Sequence, residues 1–159
     1  MPAKSSATRY GTVAITLHWL SALLIVVLIV SGFRASGIED SAVKASILQL
    51  HVPCGVAILL LTLARIGWWI LADSKPASVP MPRWQVRSSQ AVHFLFYAVI
   101  LGMTASGIGM MVLSGAGPII FGGENSTLAD FRDYLPRTPH GIGARLILSL
   151  FVVHAGAAL

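Results

Sequence analysis

Five histidines, His18, His51, His93, His140 and His154, are the residues of this 159-residue chain best suited to chemistry. A neutral imidazole offers a lone pair to a metal and titrates close to physiological pH. A lone histidine on an apolar face is more often a hydrogen-bonded core residue than a ligand. Five of them within or beside long apolar runs are a different case, because ionisable groups inside a membrane are costly and mark function. His140 and His154 are fourteen residues apart. That interval turns an α-helix through about 1400°, some 40° short of four turns, and rises about 21 Å. The two therefore share one helix face at two well-separated heights. The single cysteine, Cys54, rules out an internal disulfide and any cysteine-cluster metal site.

The elements that must carry these residues are apolar. Hydrophobic residues make up 55% of the chain and charged ones 11%, about half the charge of a soluble domain. Mean hydropathy is +0.78. Disorder and fibrous repeats are excluded, and the net charge of +5 reflects few acids rather than a basic block, so nucleic acid is not an expected partner. A membrane helix needs about 20 apolar residues, and four runs qualify, over about residues 11–33, 47–71, 89–113 and 140–159. Their hydrophobicity is continuous rather than alternating, which predicts helices and not a barrel. The expected fold is all-α, an integral membrane four-helix bundle forming one domain over residues 1–159, with no internal repeat. The first run is too long for a signal peptide and reads as an uncleaved anchor.

Six basic residues, Lys4, Arg9, Arg65, Lys75, Arg83 and Arg87, fall on one side with Asp73. Four, Arg34, Lys44, Arg132 and Arg137, fall on the other with Glu39, Asp40, Glu124, Asp130 and Asp133. The positive-inside rule then puts both termini in the cytoplasm. Residues 73–87, with Pro76, Pro80 and Pro82, read as a stiff connector, and residues 115–139 as a long outer loop with a short helix expected over 127–134. Trp19, Trp68, Trp69 and Trp84 sit near cytoplasmic span ends, as interfacial anchors do.

With that orientation the histidines sort into layers. His18 meets His154 in the inner leaflet and His51 meets His140 in the outer one. Each pair offers two neutral imidazoles from different helices, which suits axial ligation of a haem iron. Zinc asks for a closed ligand set around one point, and copper would lack sulfur or carboxylate here. A flat macrocycle also needs small neighbours one turn from its ligand. His18 has Ser21 and Ala22 there, His51 has Cys54 and Gly55, His140 has Gly143 and Ala144, and His154 has Ala157 and Ala158. His93 has Phe96 and Tyr97 instead, which separates it from the other four.

The stretches Thr16-Leu17-His18-Trp19-Leu20 and Leu50-His51-Val52-Pro53-Cys54-Gly55 carry a resemblance. So does His140 with His154, followed by Ala155-Gly156-Ala157-Ala158-Leu159. Together they resemble the prokaryotic cytochrome b561 family, from about Tyr10 to the end of the chain. The resemblance implies a four-helix, diheme b-type cytochrome of the bacterial inner membrane, with two haem b groups. It implies axial ligands at His18, His154, His51 and His140, and ubiquinone as the lipid-phase partner.

Haem propionates need cations. Arg145, one and a half turns into the fourth helix, either snorkels to the interface or pairs with an outer propionate. Arg34 is a second outer candidate. Arg9, Arg65 and Arg87 are inner candidates that positive-inside anchoring alone would also explain. Cys54, Met103, Met110 and Met111 read as packing residues. His93 is expected near the inner haem, as a propionate partner, a proton relay to quinone, or a structural residue at its helix start.

Three functions remain open. One is superoxide oxidation at the periplasmic face coupled to ubiquinone reduction. Another is an electron-transfer subunit passing electrons between the quinone pool and a dehydrogenase or soluble periplasmic redox partner. The third is a non-redox module in membrane lipid. The layers predict that His18→Ala or His154→Ala removes one haem component, and that His51→Ala or His140→Ala removes the other. Visible spectra of the four variants check this, and loss of one shared component from His18→Ala and His51→Ala would refute it.

Overall fold

Hydrocarbon offers a peptide group no hydrogen-bond partner, so an apolar run that crosses it must satisfy itself as a helix. The computed structural model describes residues 2–77, 80–123 and 126–158. Glu124, counted above among the outer acids, and Leu159, the expected end of the fourth run, lie outside the described residues. All the regular secondary structure of the described residues is helical. Its elements are α1 (Thr12–Ser36), α2 (Ser41–Gly67, extended by a π-helical turn Trp68–Ala72), α3 (Arg83–Ser114), α4 (Gly117–Phe121), a 3-10 turn Phe131–Asp133, and α5 (Arg137–Ala158). Four of these helices, α1, α2 with its π turn, α3 and α5, are long and apolar enough to cross a membrane.

The long helices reach past the uncharged runs. Lys44, Arg83, Arg87 and Arg137 sit in their terminal turns, where a charge reaches the interface without breaking the helix. The connector is accordingly shorter than expected, since α3 begins at Arg83 directly after Pro82. Asp40 caps α2 by accepting from the Val43 N–H at 2.9 Å. Gly115, at φ 64°, ends α3 in the left-handed conformation that glycine tolerates best. Residues 127–134 form only the 3-10 turn, while the unforeseen helix is α4. Its Pro118 stands in the first turn, where a missing N–H costs nothing. α4 buries Ile120 completely against Ala116 and Leu128. The Gln49 side chain donates to the Ile120 carbonyl at 2.7 Å and the Leu128 N–H to Ser41 Oγ at 2.8 Å, closing the loop over the bundle.

α1 packs along α2 and α3 along α5, with lesser contacts from α2 to α3 and from α1 to α5. The four long helices thus form a closed ring. Its centre is a layer of four isoleucines, Ile25, Ile58, Ile100 and Ile147, one from each helix. Each follows a histidine of its own helix by seven residues: His18, His51, His93 and His140. Seven residues are about two turns, so each isoleucine shares its histidine's face.

The same register uncovers an internal repeat that composition conceals. His18, Ile25, Ser31 and Gly32 of α1 match His93, Ile100, Ser106 and Gly107 of α3, each 75 positions on. His51, Ile58 and Arg65 of α2 correspond to His140, Ile147 and His154 of α5, each 89 positions on. The expectation of no repeat fails because only core-facing positions recur. Lipid-facing ones need only be apolar, and they dilute the similarity. Two helical hairpins related by a pseudo-twofold axis along the membrane normal build the ring.

We call the end where α1 starts and α5 finishes the terminal end, and the opposite one the loop end. At the terminal end the chain before α1 supplies the cap that Gly11 lacks. The Pro2 and Ala3 carbonyls accept from the Thr12 and Val13 N–H groups at 3.0 and 3.4 Å. A Cβ on Gly11 would collide with the backbone of Ala3 and Lys4. Asp73 ties this segment down, accepting from the Ser5 N–H at 3.0 Å, Ser5 Oγ at 2.8 Å and Trp68 Nε1 at 3.1 Å. Desolvation pushes the Asp73 carboxyl upward, but the hydrogen bonds from Ser5, Ser74 and Trp68 outweigh it and hold its pKa below the ordinary 3.8. The stability from this lock is therefore present above about pH 4 and lost as pH falls through the depressed value. Thermal melts in detergent between pH 6 and pH 3 should show a loss of stability in the wild type that is reduced in Asp73→Asn.

Candidate haem sites in the bundle core

At the loop end, α2 brings His51 and α5 brings His140 to a ring separation of 6.3 Å. Each imidazole is anchored from the preceding helix of its own hairpin. Ser31 Oγ lies 2.9 Å from His51 Nδ1, and Ser106 Oγ lies 3.0 Å from His140 Nδ1. The proton positions follow from the other bonds. Ser31 donates its hydrogen to the Val27 carbonyl at 2.6 Å, and Ser106 donates to the Met103 carbonyl at 2.9 Å. Both hydroxyls are therefore left to accept, and His140 Nδ1 also lies 3.1 Å from the Met103 carbonyl, which only accepts. Nδ1 carries the hydrogen in both rings, and Nε2 keeps its lone pair for a metal.

Glycine follows each serine, and its missing side chain makes room for the ring. A Cβ on Gly32 would come within 3.0 Å of His51 Cε1, and one on Gly107 within 3.4 Å of His140 Cε1. Sequence reasoning missed these Ser-Gly pairs. The signal was their recurrence, Ser31-Gly32 and Ser106-Gly107, at the same distance from a histidine and an isoleucine. Beside the two rings opens a cavity of about 930 Å³, lined among others by Gly55, Met103, Ala144 and Arg145. This lies at the upper end of the roughly 300–1,000 Å³ common for cofactor pockets.

At the terminal end, the rings of His18 on α1 and His154 on α5 are 6.2 Å apart. His93 on α3 stands 5.5 Å from His154, and Phe96 stands 5.4 Å from it. His93 is thus nearer to His154 than His18 is, in a cluster where three imidazoles share one level.

Two metal–imidazole bonds of about 2 Å each, with the radii of two five-membered rings, add to roughly 6 Å between ring centres. Both cross-helix pairs match that span. Among the described residues no group of three or more His, Cys, Asp or Glu could hold a metal ion, so the donor set is two imidazoles per site. That set suits a macrocycle that supplies its own four equatorial donors.

The cations divide. Arg145 is exposed, and its Nη1 reaches 3.5 Å back toward the Gly141 carbonyl at the loop end. Lys44, Arg132, Arg137 and Arg145 line the cavity together with Glu39 and Asp130, whereas Arg34 is exposed and absent from its lining. Arg132 is paired with Asp130 at 3.0 Å. Backbone and side-chain hydrogen bonds from Arg132 hold the Asp130 carboxyl below its ordinary value, and that carboxylate in turn raises the Arg132 guanidinium. Its charge is largely cancelled.

Residues 9–159 match the prokaryotic cytochrome b561 family. Among characterised proteins, the chain is 28% identical over 115 residues to the probable superoxide oxidase CybB of Yersinia pestis, covering 72% of this chain but only 64% of that protein. It is 29% identical over 158 residues to the cytochrome b562 of Cereibacter sphaeroides, covering 94% of this chain and 85% of that protein. No solved structure matches it. Four membrane-length helices and a match that runs through both histidine layers lead to one assignment: the chain belongs to the prokaryotic cytochrome b561 family.

Proposed function

We propose that the chain holds two b-haems, one between His18 and His154 and one between His51 and His140. In this reading it oxidises superoxide at the loop end, on the periplasmic side of the inner membrane, and reduces ubiquinone. The observation that carries the reading is the pair of ring separations, 6.2 and 6.3 Å, each across two helices. The name of the Yersinia pestis relative supports the substrate. When bound, the haem irons supply one-electron carriers on either side of the isoleucine layer. Two superoxide anions each lose one electron to become dioxygen, and one ubiquinone takes the two electrons with two protons to become ubiquinol.

The chain's own residues do the rest. Ser31 and Ser106 fix the tautomers of His51 and His140. Lys44, Arg137 and Arg145 at the cavity give it the positive charge that attracts a small anion, while Arg132 is spent on Asp130. His93, beside His154, is the candidate proton relay for the quinone. The six-to-four basic bias supports a cytoplasmic side for both termini.

A second reading is an electron-transfer protein that exchanges electrons between the quinone pool and a dehydrogenase or a soluble partner. A further acid, Glu39, lines the same cavity and weakens its attraction for an anion, and the cytochrome b562 relative aligns over more of its own length.

Stopped-flow mixing of the detergent-solubilised haem protein with superoxide, followed by ubiquinone, separates the two. Fast, salt-sensitive haem reduction and reoxidation by ubiquinone support the first reading, whereas slow, salt-insensitive reduction favours the second. Arg137→Glu should slow the first phase by about tenfold, and Arg132→Glu should slow it too, because it also unmasks the charge of Asp130. His93→Ala should keep both haems and slow reoxidation, and loss of a haem there would refute its relay role.

A separate test addresses the loop-end cradle. Gly32→Ala brings a methyl within 3.0 Å of His51 Cε1. It should lower the occupancy or shift the spectrum of the haem component that His51→Ala abolishes, leaving the other unchanged. An unaltered spectrum would mean that the ring has room to move.

A further inference from the structure

The repeat pairs histidine with histidine, serine with serine and isoleucine with isoleucine, but one pair at the terminal end differs in chemistry. Under the pseudo-twofold, His18 corresponds to His93, and His154 corresponds to Arg65 of α2. A guanidinium thus stands in the layer where the matching helix presents a ligand. Arg65 lies seven residues before the end of the π turn and His18 six residues after the start of α1. These intervals place them about 10 Å and about 9 Å inside the terminal end. The charge of Arg65 is within electrostatic reach of both His18 and His93.

Arg65 Nε is buried and has no hydrogen-bond partner. A guanidinium is permanently charged, has five N–H donors and accepts nothing. An unpaired one inside an apolar bundle is costly. Of the six acidic residues, only Asp73 belongs to this end by sequence, and its carboxylate is held by Ser5, Ser74 and Trp68. The imidazoles of His18, His93 and His154 carry no negative charge. Among the described residues none supplies an acceptor to the buried Nε of Arg65, and an oxyanion from outside the chain would supply one.

We propose that Arg65 binds a propionate carboxylate of the haem held between His18 and His154, acting as a positioning residue that sets the potential of that haem. The proposal rests on the two-haem reading above. A lipid phosphate offers similar chemistry, but Arg65 lies about 10 Å inside the helix end, deeper than a headgroup.

The test is a spectroscopic redox titration of purified wild-type protein, Arg65→Gln and Arg65→Lys, with haem counted as the pyridine haemochromogen. A cation beside a haem favours its reduced, less positive state. Arg65→Gln should therefore lower the midpoint potential of the component that His18→Ala removes. The other component should be unmoved, and Arg65→Lys should recover most of the shift. In a protein with two haems, unshifted potentials, or equal shifts in both components, overturn the proposal alone. A wild-type protein with one haem overturns the two-haem reading and the proposal with it. Wild type in nanodiscs of phosphatidylcholine, compared with discs containing phosphatidylglycerol, supplies the last arm. If removing the anionic lipid reproduces the Arg65→Gln shift, the partner is an anionic lipid headgroup and the proposal fails.

Discussion

An imidazole in the interior of a membrane protein has two nitrogens to account for, and the loop-end site is organised around that requirement. One nitrogen carries a hydrogen and must donate it to an acceptor. The other must stay free if the ring is to ligate. A serine hydroxyl that has already donated to its own helix meets the first demand without adding a charge, and Ser31 and Ser106 both do so. The back-bonded serine, the glycine that follows it and the ring seated against that glycine form one unit. That unit occurs once in each hairpin.

The repeat explains why the two ends of the bundle differ. At the loop end the pseudo-twofold relates His51 to His140 and Ser31 to Ser106, so both halves contribute the same chemistry. At the terminal end the halves have diverged. One half presents His18 and Arg65, while the other presents His93 and His154 at the corresponding positions. The repeated scaffold thus offers one symmetric site and one that leaves a residue of each half, Arg65 and His93, for other work, such as holding an anion or moving a proton. The short separation between His93 and His154 keeps that second imidazole at the site.

Much of this was legible in the sequence, for physical reasons. Four uncharged runs of bilayer length must be helices, and the fourteen-residue interval in α5 already placed His140 and His154 on one face at two heights. What escaped was carried by small or apolar residues without a distinctive composition. Ser31-Gly32 and Ser106-Gly107 look like ordinary membrane-helix packing until their partners are seen. Gly115, Gly117 and Pro118 signal a turn, yet Pro118 at a first helical position starts α4. The Asp73 lock joins Ser5 to a residue 68 positions away, a distance over which no periodicity operates.

The isoleucine layer has a consequence of its own. Ile25, Ile58, Ile100 and Ile147 close the ring midway between the two histidine levels, with side chains that can neither donate nor accept a proton. A proton crosses a protein along a chain of hydrogen bonds, and here any such chain is interrupted. An electron needs no such chain and can tunnel through packed hydrocarbon. In the two-haem reading, a bundle sealed this way would move negative charge from one face to the other with no proton following through its centre, and each turnover that spans it would alter the voltage across the membrane.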